Sequence, residues 1–188
     1  MDEITYKKAA EVDDLATQSA ILGPFFRLNV PLMNMGDDIS HNTPADGEPI
    51  YMYGRVIDSK TKEPLAGAEI DVWEASTNGL YEQQDPDQKD MNLRGKFKTG
   101  PDGEYSFYCL RPTPYPIPYD GPAGKVVQMM DRHPYRPAHI HIIVSEFHNI
   151  GLLELTVRCR SCEKATNPSR LRSSTPIANT SKMIRSLR

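Results

Sequence analysis

Residues 111–122 read RPTPYPIPYDGP, with five prolines in twelve positions. Each ring fixes φ and removes a backbone donor, so neither a helix interior nor a central strand fits there. The stretch has to be an extended loop, and it carries Tyr115 and Tyr119. What surrounds it is a series of short apolar runs closed off by turn residues. YMYGRVIDS at 51–59 is a strand, and AEIDVWEA at 68–75 is expected as its pairing partner across the TKEP and LAG turn. In that partner Ile70 and Val72, with Glu74 on the same parity, point one way, and Glu69, Asp71 and Trp73 point the other. GKFKTGPDGEYSFYCL gives strand, turn at 101–103 and strand, and AHIHIIVS at 138–145 is rich in β-branched residues and reads as a further strand.

Between these runs lie long connections. STNGLYEQQDPDQKDMNLRG at 76–95 is a polar excursion, and GKVVQMMDRH at 124–133 is a short helix or turn. In ILGPFFRLNVPLMNMG at 21–36, Gly23, Pro24 and Pro31 block a long helix, while Phe25 and Phe26 are available for packing. Short strands, turns and long loops predict a mostly β protein, an antiparallel β-sandwich rather than an α/β fold. The expected organisation is a short helical or linker lead-in at 1–20, a sandwich core at 21–156 and a basic, poorly packed tail at 157–188.

Charge removes some functions. Residues 145–188 hold eight basic and three acidic residues, so the net charge of −3 leaves the remainder of the chain at −8. An acidic body repels a phosphate backbone, which argues against specific nucleic-acid binding. No apolar run is long enough for a membrane helix, and the acidic start MDEITYKKAAEVDD is unlike a secretory signal, so a cytoplasmic location is expected. Cys109, Cys159 and Cys162 are too few for a disulfide framework, and the C-x-x-C at 159–162 has no second pair to complete a zinc site.

His139 and His141 are the sharpest chemical signal. Two residues apart on a strand, their side chains leave the same face and can reach one metal ion; a surface-facing pair fits the spacing equally well. Tyr81 follows the turn NGLY, and Tyr115 sits in the proline loop. A phenol keeps its proton until about pH 10, so a tyrosinate at neutral pH needs a strong positive charge beside it. A ferric ion supplies one and favours hard anionic oxygen donors. With nine tyrosines in the chain, both can equally be ordinary packing residues.

These phrases together resemble the intradiol ring-cleaving dioxygenases, and among them the hydroxyquinol 1,2-dioxygenases. The resemblance is carried by ILGPFF at 21–26, GRVIDSKTKEPLAGAEIDVWEASTNGLY at 54–81, NLRGKFKTGPDGEYSF at 92–107, YPIPYDGP at 115–122 and RHPYRPAHIHIIV at 132–144. It implies a non-haem Fe(3+) centre held by Tyr81, Tyr115, His139 and His141, with Tyr115 as the ligand that leaves when substrate arrives. It implies Arg136 as a catalytic arginine beside the substrate ring, and Leu22, Gly23, Pro24 and Phe25 as lining of the substrate pocket. The implied partners are a small aromatic diol or triol and dioxygen. Both oxygen atoms enter between the two hydroxylated carbons, taking benzene-1,2,4-triol to 3-hydroxy-cis,cis-muconate or its keto tautomer maleylacetate; a catechol 1,2-dioxygenase is the alternative.

Two departures from the family pattern follow. Family members carry a helical N-terminal region that builds a homodimer, whereas only about twenty residues precede ILGPFF here. Leu155 stands fourteen residues after His141, where catechol-type members place a glutamine. The chain is therefore expected to be shortened or altered at both ends, and an inactive homologue or a metal-free β-sandwich binding module remain alternatives to an enzyme.

Overall fold

The computed structural model describes residues 22–42, 44–58, 61–145 and 153–161. Among the described residues the elements run in the order β1 Pro49–Asp58, β2 Glu69–Trp73, β3 Arg94–Lys98, β4 Glu104–Leu110, β5 Tyr115–Pro116, α1 Pro122–Met129, β6 Tyr135–Arg136, β7 His141–Ser145 and β8 Leu153–Ser161. They form a sheet ordered β4-β1-β8, a second ordered β3-β2-β7, and a short ribbon of β5 with β6. All the named strand pairs are antiparallel.

Alternation along each strand determines what the two larger sheets bury between them. Ile50, Met52 and Val56 of β1, with Tyr105, Phe107 and Cys109 of β4, meet Ile70 and Val72 of β2, Phe97 of β3, and Ile142 and Val144 of β7 in one apolar cluster. Removing this much apolar surface from water is the main force holding the sheets together. Glu74, just past β2, reaches across the sandwich and accepts a hydrogen bond from Leu110 N at 3.0 Å. The expected parity of β2 holds: Ile70 and Val72 face this core, while Trp73 belongs to a separate buried cluster on the other side.

The strand pairings differ from the sequence expectation. β2 is not the hairpin partner of β1; it pairs with β3 and β7, and β1 pairs with β4 and β8. The turn at 101–103 likewise joins β3 in one sheet to β4 in the other. Both turns carry the chain from sheet to sheet and pack on each other at one end of the sandwich. Val56 N donates to Gly103 O at 2.8 Å and Leu65 N to Val56 O at 3.0 Å. Gly103 has φ of 69°, and a Cβ there would stand 2.3 Å from Val56 O, so a side chain is excluded twice over.

The outer edges of β3 and β4 are covered by a single segment. Leu32 bridges to Lys96 and Asp38 to Tyr108, with Met33 N to Lys96 O at 2.8 Å and Ile39 N to Tyr108 O at 3.0 Å. One stretch of backbone therefore satisfies two sheet edges that would otherwise offer unpaired groups. At the opposite edge β8 runs along β1 from Asp58↔Leu153 to Ile50↔Ser161. It extends regular pairing into residues 157–161, which were expected to open the tail. The lead-in at 1–20 and residues 162–188, Cys162 among them, lie outside the described residues. Among the described residues, no helix is long and apolar enough to cross a membrane.

Candidate active site

The second cluster lies on the outer face of the β3-β2-β7 sheet. Register places Arg94, Trp73 and His141 directly opposite one another across the three strands, so their side chains leave the sheet on the same side. The Trp73 indole lies flat against the His141 imidazole, with centroids 4.6 Å apart and planes 2° from parallel. His139 precedes β7, which is shorter than the strand expected at 138–145. Its ring nevertheless meets that of His141 edge to face at 4.9 Å.

Tyr81 arrives through the NGLY turn, where Gly79 N donates to Ser76 O at 2.8 Å and Ser76 N to Leu80 O at 2.9 Å. Gly79 has φ of 79°, and a Cβ there would lie 2.6 Å from the Cβ of Tyr115. Only glycine lets Tyr115 come this close. Tyr115 is held by the β5–β6 ribbon, paired with Arg136, and Pro116 pairs with Tyr135. The proline loop thus has one short regular anchor, at the tyrosine.

The phenolic oxygens of Tyr81 and Tyr115 are 3.3 Å apart, and Tyr115 Oη is 3.5 Å from His139 Nε2. Arg136 Nη1 donates to Tyr115 Oη at 2.7 Å. His139 Nδ1 lies 2.6 Å from the Pro137 carbonyl. A carbonyl only accepts, so Nδ1 carries the proton and Nε2 presents its lone pair toward the phenols. The four residues singled out in the sequence therefore come together from three stretches of chain, with Arg136 against them.

Burial sets the protonation of the group. Tyr81 is 1% exposed, and its acidity falls below that of a free phenol, first through burial and then through the Tyr115 contact. Burial, with the neighbouring His139 and Arg136 next, lowers the His141 pKa to about 4. The His139 pKa is lowered as well, chiefly by burial. Near neutral pH the site offers two neutral imidazoles and a protonated Tyr81, a set that becomes anionic only beside a cation. Among the described residues no group of three or more His, Cys, Asp or Glu is placed to hold a metal ion. A metal at this point would draw on phenols as well as imidazoles.

The first segment closes the site from above. Phe25 stacks on Tyr81 at 4.2 Å and 14°, and Phe26 meets Trp73 at 5.4 Å. Of the expected pocket lining, Leu22 and Phe25 pack against the cluster, whereas Gly23 and Pro24 are exposed.

A sequence model of the family described as Dioxygenase matches residues 21–153. The chain belongs to the intradiol ring-cleavage dioxygenase family. It is 49% identical over 130 residues to a catechol 1,2-dioxygenase of Candida albicans, covering 69% of this chain and 43% of that protein. It is 46% identical over 146 residues to a hydroxyquinol 1,2-dioxygenase of a Rhizobium species, covering 77% of this chain and 47% of that protein. The solved hydroxyquinol 1,2-dioxygenase of Pseudomonas putida superposes with a TM-score of 0.69 at 35% identity, covering 81% of this chain and 52% of that chain. This intradiol dioxygenase chain spans about half the length of the relatives it matches. Members of the family use Fe(3+) in catalysis.

Three features of the site were not among the sequence candidates. In the sequence Trp73 has a face but no role. Gly79 is there only part of a turn. Glu82, Gln83 and Arg94 stood inside a stretch read as a polar excursion. The usable signal was the parity of β2, which puts Trp73 on the histidine side of the sheet.

Proposed function

We propose that this chain holds Fe(3+) on Tyr81, Tyr115, His139 and His141 and opens the ring of a catechol-type diol between its two hydroxylated carbons, with benzene-1,2,4-triol as the favoured substrate. The observation that carries the reading is the run from Tyr81 Oη to Tyr115 Oη to His139 Nε2, at 3.3 Å and 3.5 Å. Three donors from separate segments converge there, and the Pro137 carbonyl fixes the histidine tautomer. Two phenolic oxygens favour the ferric over the ferrous state. When bound, the ferric ion supplies the charge that ionises the phenols and makes a bound diol electron-rich enough to react with dioxygen.

The chain's residues do the rest. Tyr81 is enclosed by Phe25 on one face and meets Tyr115 edge to face, so its oxygen has one direction to point. Tyr115 sits on a two-residue ribbon, and its oxygen contacts Arg136, Tyr81 and His139. It would be the donor that yields to an entering diol, and its oxygen would take a proton from a substrate hydroxyl. Arg136, already on the Tyr115 oxygen at 2.7 Å, would lie beside the ring and stabilise negative charge on it during attack by dioxygen. Phe25 and Leu22 exclude water from one side of the pocket.

The test is oxygen uptake by the iron-loaded chain with benzene-1,2,4-triol and with catechol, each product being identified by mass spectrometry. The reading expects both atoms of one dioxygen in a ring-opened diacid and faster turnover of the triol. Faster turnover of catechol favours the second reading, a catechol 1,2-dioxygenase, which the 49% identity to the Candida protein supports. No uptake with either substrate contradicts both.

A further inference from the structure

Beside Tyr81 lies a polar cluster that the ligand set does not use, with the Arg94 and Glu82 side chains buried and Gln83 exposed. Arg94 is 1% exposed and donates through Nε to Glu82 Oε1 at 2.6 Å and through Nη2 to Gln83 Oε1 at 2.7 Å. Glu82 and Gln83 directly follow Tyr81 in sequence. Both also reach the first segment: Arg27 Nη1 donates to Glu82 Oε1 at 3.2 Å, and Gln83 Nε2 to the Phe25 carbonyl at 3.5 Å. One guanidinium on the sheet thus ties down the loop that carries Tyr81 and, through the same two side chains, the segment whose Phe25 covers the Tyr81 ring.

The backbone bringing Arg94 to this point is itself constrained. Met91 and Leu93 have φ of 60° and 57°, values that side-chain-bearing residues seldom adopt and that persist only where surrounding contacts impose them. Leu93 is held by its amide on the Ile39 carbonyl at 2.8 Å. Asn92 Oδ1 accepts from His41 N at 2.8 Å and from Asn42 N at 3.2 Å. Burying an ion pair is a poor way to gain stability, because desolvation offsets most of the attraction. The gain here is geometric: a planar fork that fixes two consecutive side chains at once, which a lysine cannot reproduce.

We propose that Arg94 is a positioning residue for Tyr81, acting through Glu82 and Gln83 to hold the phenol oxygen toward Tyr115 and the histidines. The inference rests on the proposed ligand role of Tyr81 for its purpose, but its geometry can be tested without metal.

The experiment uses the full chain and two variants, Arg94→Met and the milder Gln83→Leu, which leaves every charge paired. Metal-free protein is treated with tetranitromethane, and nitration is mapped by mass spectrometry. In the parent chain exposed Tyr119 and Tyr135 react while Tyr81 is protected. In both variants Tyr81 becomes reactive, while Tyr105, buried in the core between the sheets, stays protected. Nitration of Tyr81 equal in parent and variants overturns the proposal. So does simultaneous exposure of Tyr105, which would make Arg94 a general structural residue. With ferric ion added, affinity falls about tenfold to a hundredfold in both variants, the usual effect of losing a residue that orients a ligand, and the tyrosinate-to-iron band shifts. A parent chain that gives no such band removes the proposed iron site, while the nitration result still decides the positioning of Tyr81.

Discussion

The Trp73 indole and the His141 imidazole are stacked face to face at 4.6 Å, within 2° of parallel. Trp73 is the chain's single tryptophan, so its fluorescence reports on one of the proposed ligands. Ferric ion titrated into the protein is expected to quench this emission in step with metal uptake. His139→Ala and His141→Ala should each abolish the saturable quenching. Emission that stays constant while iron binds stoichiometrically would place the metal elsewhere.

Gly79 allows Tyr115 to sit where it does. Gly79→Ala puts a methyl group 2.6 Å from the Tyr115 Cβ at φ of 79°, so the turn has to open or Tyr115 has to move. The expected cost is about 1–3 kcal/mol of stability, read by chemical denaturation, with weaker ferric affinity. A variant as stable as the parent and unchanged in metal binding would show that the two loops are not in contact.

Glu74 predicts how stability follows pH. Burial pushes its carboxyl up to about 8 from an ordinary value of 4.5, and one of its oxygens has no hydrogen-bond partner. The unfolded chain releases this proton near the ordinary value, whereas the folded chain keeps it until about pH 8. Unfolding is thus progressively favoured as pH rises through that window, by at most about 1.4 kcal/mol per unit. Between pH 6 and 8, urea denaturation should show stability falling in the parent, and Glu74→Gln should flatten the dependence while keeping the bond from Leu110. An identical slope in parent and variant would contradict this.

Tyr81 and Arg136 should separate metal binding from turnover. Tyr81→Phe removes a donor oxygen and is expected to lose both colour and most iron. Arg136→Met leaves all four donors in place, so iron and colour remain while kcat falls about a hundredfold to a thousandfold. Iron content, visible spectrum and oxygen uptake measured on both variants check the ordering; the reverse ordering would exchange their roles.

The sequence was informative where chemistry is local and silent where it depends on which strands meet. Alternation in β2 identified its two faces, because a side-chain period of two fixes direction within a strand. It carries no record of the neighbour, so the turns before Glu69 and after Lys98 read as hairpins although both cross between sheets. Tyr115, His139 and His141 stood out because proline and the H-x-H spacing are rare signals. Arg94 and Glu82 did not: in the sequence they are two charges in a hydrophilic stretch, and only the fold buries them against each other at 2.6 Å. Trp73 was visible as a large residue on the second face, but its partner His141 lies 68 positions away along the chain.

The most direct measurement is metal analysis of the purified 188-residue chain together with its visible spectrum, before and after benzene-1,2,4-triol is added without oxygen. The account predicts a single iron per chain, a red-brown charge-transfer band from tyrosinate to ferric ion, and a shift of that band when the triol binds. A colourless protein that takes up no ferric ion, or one whose colour survives the loss of both Tyr81 and Tyr115 hydroxyls, would contradict it.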